Sequence, residues 1–144
     1  MALQVKFITL WRSEAQNQPG TLADTLEPLA GAGVDIQLLM GYRDPTVPGR
    51  AVLELYPVSG KKAEAAAERA GLSKSSIPTL LVSGDNKAGL GEAIARVIGE
   101  ARINMAFLMA QVIGKRFSAV IGFQTEGDAR TAASLIRKVK VSRR

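Results

Sequence analysis

Asn17-Gln18-Pro19-Gly20 recurs 69 residues further on as Asn86-Lys87-Ala88-Gly89. A glycine where a strand turns into a helix lets the backbone approach a ligand closely. The helix N-terminus behind it offers unpaired N–H groups and a positive partial charge, a combination suited to a carboxylate. Asn17 and Asn86 have a structural use as well, since asparagine favours turns and caps. Fifteen residues beyond each glycine stands an oxygen acceptor, Asp35 in one copy and Asn104 in the other. Each is able to accept hydrogen bonds from an ammonium group, or simply to face solvent from a strand. A helix N-terminus and an oxygen acceptor together match the two charged ends of a free amino acid.

The 144 residues include no Cys and no His, which excludes disulfides, thiolate nucleophiles, imidazole or thiolate metal sites and histidine acid–base chemistry. The acidic residues scatter without a nucleophile–base pair, so neither catalysis nor a cofactor is expected.

The elements that position these residues also come in duplicate. Leu22, Leu26 and Leu29 keep helical spacing after Gly20, as do Leu90, Ile94, Val97 and Ile98 after Gly89. Val34, Ile36, Leu38 and Met40 then alternate with Asp35, Gln37 and Leu39, and Ile103, Met105, Phe107 and Met109 alternate with Asn104, Ala106 and Leu108. Period two predicts a strand whose first-named set faces the core. Strands are also expected from Val5 to Trp11, at Thr79–Ser83, from Ala51 and from Ser118, with Ala-rich helices from Lys61 and Asp128. Short final strands are expected around Ser73–Ser76 and Val139–Val141. Pro28 cannot donate to the carbonyl of Asp24, which predicts a kink or an early end of the first helix.

Each half thus reads βαββαβ, the split βαβ or ferredoxin-like order, an α+β fold with helices on one face of an antiparallel sheet. The polar stretch after Gly71 suggests a boundary between residues 1–74 and 75–144. On this reading the other sheet face carries Leu39, Ala106, Leu108, Ala110 and Val120. Such a face is too apolar to be left in water, so it is expected to be covered and the chain to form a homodimer.

The formal charge is +6, but Arg137, Lys138, Lys140, Arg143 and Arg144 supply five of these charges, leaving the remainder near +1. Val139 and Val141 alternate with Lys140 as in an edge strand guarded by lysine. No apolar run reaches the ~20 residues of a membrane span, and the N-terminus lacks the marks of a signal peptide, so the chain is expected to be cytoplasmic.

The segment Asn17-Gln18-Pro19-Gly20-Thr21-Leu22, followed by Gly33-Val34-Asp35-Ile36, resembles the signature of ACT domains. The whole chain is similar to small proteins made only of two such domains. The resemblance implies a regulatory protein that binds an amino acid or a close analogue between the glycine turn of one domain and the second strand of a neighbour. It carries ligand binding onto Asn17, Gly20, Thr21 and Asp35, and onto Asn86, Gly89, Leu90 and Asn104. The second copy departs from the pattern at Ala88 and Gly91, which is expected to loosen its turn.

Two other readings compete. One is an assembly module without a ligand. The other is an RNA-binding module, which shares the element order but needs aromatic residues on the central strands, where only Tyr56 and Phe123 stand.

Overall fold

The computed structural model describes residues 3–141. Its elements are β1 (Gln4–Ile8), β2 (Trp11–Gln16), α1 (Thr21–Gly31), β3 (Leu38–Arg43), β4 (Arg50–Tyr56), α2 (Lys61–Arg69), β5 (Ser73–Lys74), β6 (Thr79–Asp85), α3 (Leu90–Glu100), β7 (Met105–Ile113), β8 (Arg116–Phe123) and α4 (Glu126–Arg137). The strands form two antiparallel four-stranded sheets, ordered β3-β4-β2-β5 and β1-β6-β8-β7.

The run from Val5 to Trp11 is two strands, not one. β1 pairs with β6, Val5 opposite Val82, whereas β2 pairs with β4, Trp11 opposite Leu55. The chain therefore divides into Thr9–Ser76 and a second unit that joins the stretch ending at Ile8 to everything from Ile77 onward. This differs from the expected 1–74 and 75–144 at the N-terminal end. β5 fills the fourth place beside β2 in the first unit, and β1 fills the equivalent place beside β6 in the second. Val139–Val141 consequently form no strand, and Val139 and Val141 instead pack on the core. Arg143 and Arg144 lie outside the described residues.

Each sheet buries one face under its two helices. Trp11, Leu29, Leu55, Ala66, Ala67 and Leu72 make the core of Thr9–Ser76. Leu80, Val82, Ile94, Ile98, Phe117, Ile121, Phe123 and Ile136 are among those that make the larger core of the second unit. The alanines of α2 and α4 let these helices lie close to the sheet, because a methyl group fills the space where a longer chain would hold them off. Leu22 falls outside this pattern and is exposed.

β3 and β7 begin later than the alternation predicts, leaving Asp35 and Asn104 in the segments just before them. The alternation also changes phase. Ile103 is in the core and Met105 lies opposite the core residue Phe123. One extra residue then bulges the strand, so that Phe107 faces Gly122 and Leu108 faces Ile121. The first repeat shifts at the corresponding place: Ile36 packs on the core, yet Leu39 rather than Leu38 is opposite Leu55. Leu39, Leu108 and Ala110 thus belong to the helix-facing side of their sheets, and of the residues assigned to the open face Val120, opposite Met109, is on it. α1 does not end early at Pro28 but runs on to Gly31, and the amide of Ala32 donates back to the Pro28 carbonyl at 3.1 Å.

Candidate functional site

The two glycine turns have the same conformation. Gly20 has φ 88° and ψ −11°, and Gly89 has φ 88° and ψ 0°, both left-handed and both at the N-cap of a helix. That backbone is the reason for glycine, since a side chain there costs roughly 1–2 kcal/mol. The anchoring bonds repeat too. The amide of Asn17 donates to the Gly49 carbonyl at 2.9 Å, and that of Asn86 to the Lys115 carbonyl at 2.8 Å, tying one turn to the loop between β3 and β4 and the other to the loop between β7 and β8. Thr21 then donates to Gln18 O at 3.2 Å and Leu90 to Lys87 O at 3.1 Å. Ala88 stands where the first copy has Pro19, and the turn keeps the same backbone angles and anchoring bonds.

No side chain caps α1 or α3, so the first-turn amides of Leu22 and Ala23, and of Gly91 and Glu92, have no side-chain acceptor. α4 is the contrast: Thr125 accepts from the Asp128 amide at 3.0 Å. Asn17 and Asn86 are exposed and therefore serve the turns through their backbones. Among the candidates, the Thr21 hydroxyl is already engaged, donating to the Gln16 carbonyl at 3.0 Å. Leu90 is buried in the core and offers its backbone only. Asp35 and Asn104 are exposed, and their side chains form no hydrogen bond among the described residues.

Within one repeat the two poles lie apart. α1 and α3 each have 11 residues, about 16 Å of helix, with the glycine at one end and the acceptor beyond the other. The structure therefore repeats each half of the expected site without joining the halves inside a repeat.

Around Gly89 it adds something the sequence reading missed. A groove of about 1030 Å³ runs past Gly89, Ala93 and Val97 and is rimmed by Lys87, Lys138 and Lys140. A neighbouring hollow of about 580 Å³ is lined by Leu3, Asp85 and Arg137 among others. The lysines form no ion pair with a described residue, whereas Arg96 is held by Glu92 one helical turn away. The clue was Lys87 inside the turn itself. Lys140, expected to guard an edge strand, joins it together with Lys138 because β1 occupies that edge.

A second polar cluster lies on the open face of the first sheet. Glu54 is fully buried; its Oε1 accepts from the Tyr42 hydroxyl at 2.7 Å and lies 3.8 Å from Arg12. Arg50 bridges Asp44 at 2.7 Å and Glu14 at 3.1 Å. These charges are engaged with one another, and the cluster holds β2, β3 and β4 together. No group of acidic residues able to hold a metal occurs among the described residues.

The paired sheets, the helix placement and the duplicated glycine turns are those of a tandem ACT-type ferredoxin-like fold. Among solved structures the chain is similar to the regulatory subunit of aspartate kinase from Thermus thermophilus, in a ligand-free form, with TM-score 0.66 and 14% identity over 98% of both chains. It is likewise similar to a protein from Bacteroides thetaiotaomicron, with TM-score 0.71 and 14% identity over 94% of this chain and 99% of that one. The regulatory subunit of aspartate kinase from Thermus flavus matches with TM-score 0.58 and 15% identity over 94% and 95%. No protein-family profile matches the sequence, and neither does any curated protein. No helix among the described residues is long and apolar enough to cross a membrane.

Proposed function

We propose that this chain is a non-catalytic regulatory sensor of a free amino acid or a close analogue. The observation that carries the reading is the pair of uncapped helix N-termini, each opened by a left-handed glycine in the same hydrogen-bonded turn. The fold that holds them is also that of regulatory subunits of aspartate kinase. The ligand carboxylate sits at the Gly20 or Gly89 turn, where first-turn amides and, at Gly89, the three lysines of the groove oppose its charge. Its ammonium is met by Asp35 or Asn104. Because a helix about 16 Å long separates turn from acceptor within a repeat, the acceptor comes from a neighbouring repeat, which in a homodimer is that of a second copy of the chain. An RNA-binding reading gains no support from the first sheet, whose central strands turn Arg12, Glu14 and Glu54, bound to one another, toward the open face.

A thermal-shift screen of the twenty amino acids tests this. A ligand at 100 times its Kd stabilises by about 2.7 kcal/mol, a rise in Tm of roughly 5–10 °C for a chain of this size. The shift is expected to disappear in Asp35→Ala or Asn104→Ala, exposed positions whose loss leaves the fold intact. It should shrink in Gly20→Asn or Gly89→Asn, because asparagine tolerates the left-handed backbone while its side chain crowds the ligand. No shift with any amino acid, or a shift that survives all four substitutions, overturns the reading.

A further inference from the structure

Resting on the ligand reading above for the place, we infer that the groove beside Gly89 takes a small organic anion bearing two or more negative charges. Lys87 stands in the turn before α3, whereas Lys138 and Lys140 come from the segment after α4, and all three line this one groove. They are exposed and form no ion pair with a described residue. The neighbouring charges are engaged: Arg96 is held by Glu92, Asp85 meets Arg116 at 3.1 Å, and Arg137 donates to the Val5 carbonyl at 3.2 Å. Three uncompensated cations around one cleft repel one another and attract an anion, and a single carboxylate answers only one of them.

The floor between the lysines narrows the class. Ala93, Val97, Val139 and Val141 make it aliphatic, which suits a carbon body rather than a bare inorganic ion. From Gly89 to Val97 the groove follows α3 for roughly 12 Å, and its volume of about 1030 Å³ is that of a small-molecule site. No aromatic side chain lines it, so the bases of a nucleic acid would have nothing to stack on.

The first repeat has the same helix end without the lysines, so the added charge is a property of the second turn alone. Gln18 stands where the second copy has Lys87. The chain after α2 enters β5, where Lys74 lies over the Trp11 ring, 6.0 Å from its centre. In the second unit β1 fills the equivalent place, which leaves the chain after α4 to cross beside the turn. A Cβ on Gly89 would stand 3.7 Å from Cγ1 of Val141, whereas one on Gly20 would meet nothing within 4 Å. The placement of β1 thus delivers Lys138 and Lys140 to one glycine turn and not to the other.

Calorimetric titration of the full chain at pH 8 and constant ionic strength tests this with three amine-free probes. Butyrate carries one charge, and glutarate and butyl phosphate carry two. Glutarate or butyl phosphate is expected to bind at least about tenfold more tightly than butyrate, the value of one further charge-assisted contact. Whichever of the two binds more tightly tells a dicarboxylate from a phosphorylated ligand. Lys138→Gln combined with Lys140→Gln, both at exposed positions, should remove most of that preference. Lys61→Gln combined with Lys62→Gln, on α2, removes the same charge and should leave it unchanged. Butyrate binding as tightly as both dianions, a preference that survives the loss of Lys138 and Lys140, or one that falls equally in the two double variants overturns the inference. Because the probes carry no amine, their binding does not depend on Asp35 or Asn104. Amino acids that raise Tm while neither dianion binds remove this inference alone, and dianions that bind while no amino acid raises Tm remove the amino-acid reading alone.

Discussion

The Tyr42 hydroxyl donates to Oε1 of Glu54 at 2.7 Å, while the other oxygen of that carboxylate, Oε2, is buried without a hydrogen-bond partner. Tyr42 is therefore the close donor to a group that has left water entirely. Tyr42→Phe is expected to destabilise the chain by about 1–3 kcal/mol, the cost of stranding a buried acceptor, measured by urea unfolding.

The same pair makes stability depend on alkaline pH. Burial, and then the hydrogen bond to Glu54, push the Tyr42 hydroxyl up to about 12. The unfolded hydroxyl titrates near 10. Its raised value means that the folded state favours the protonated form, so the contribution is complete below about pH 10 and is lost as pH rises toward 12. Thermal melts across this window should fall less steeply for Tyr42→Phe than for wild type. Equal slopes would remove the linkage.

Acid acts through Asp44. The Thr46 hydroxyl and amide, followed by the Arg50 guanidinium, hold its carboxyl well below the usual carboxylate range. A lowered value gives stability that is complete above about pH 4, where the unfolded carboxyl is ionised, and that is lost as pH falls through the folded value. Asp44→Asn should lower the melting temperature at pH 7 and flatten its decline between about pH 4 and pH 2. A variant as stable as wild type at neutral pH would contradict this.

Arg102 has φ 58° after α3, at the place where the first repeat has Gly33 with φ 73°. A left-handed backbone strains arginine and suits glycine. Arg102→Gly is expected to stabilise the chain by up to about 1 kcal/mol, a rise of roughly 3 °C in Tm by calorimetry. No gain would mean that contacts of the arginine side chain offset the strain.

The glycine turns and all four helices were legible in the sequence because they depend on neighbours: a glycine, the asparagine before it and an apolar spacing behind it. What lay hidden was non-local. Nothing around Val5 announces that it pairs with Val82 rather than continuing with Trp11. The phase of β7 was hidden for a different reason. Its apolar residues fall on both faces, so the alternation has no polar marker from which the bulge after Met105 could be read. The groove at Gly89 was missed for the first reason again, because Lys87 and Lys140 meet only once β1 has taken the sheet edge.

The placement of β1 fixes an order of assembly as the chain is made. Thr9–Ser76 contains every strand of its own sheet and can close while synthesis continues. Gln4–Ile8 emerges before all of them, yet its partner β6 begins only at Thr79. Through that interval a strand bearing Val5 and Phe7 waits with both edges open, tethered through Thr9 and Leu10 to a unit already built. A strand that emerges well before its partner is thus among the last to find its place, and Lys6 at its centre guards it during the wait as well as afterwards.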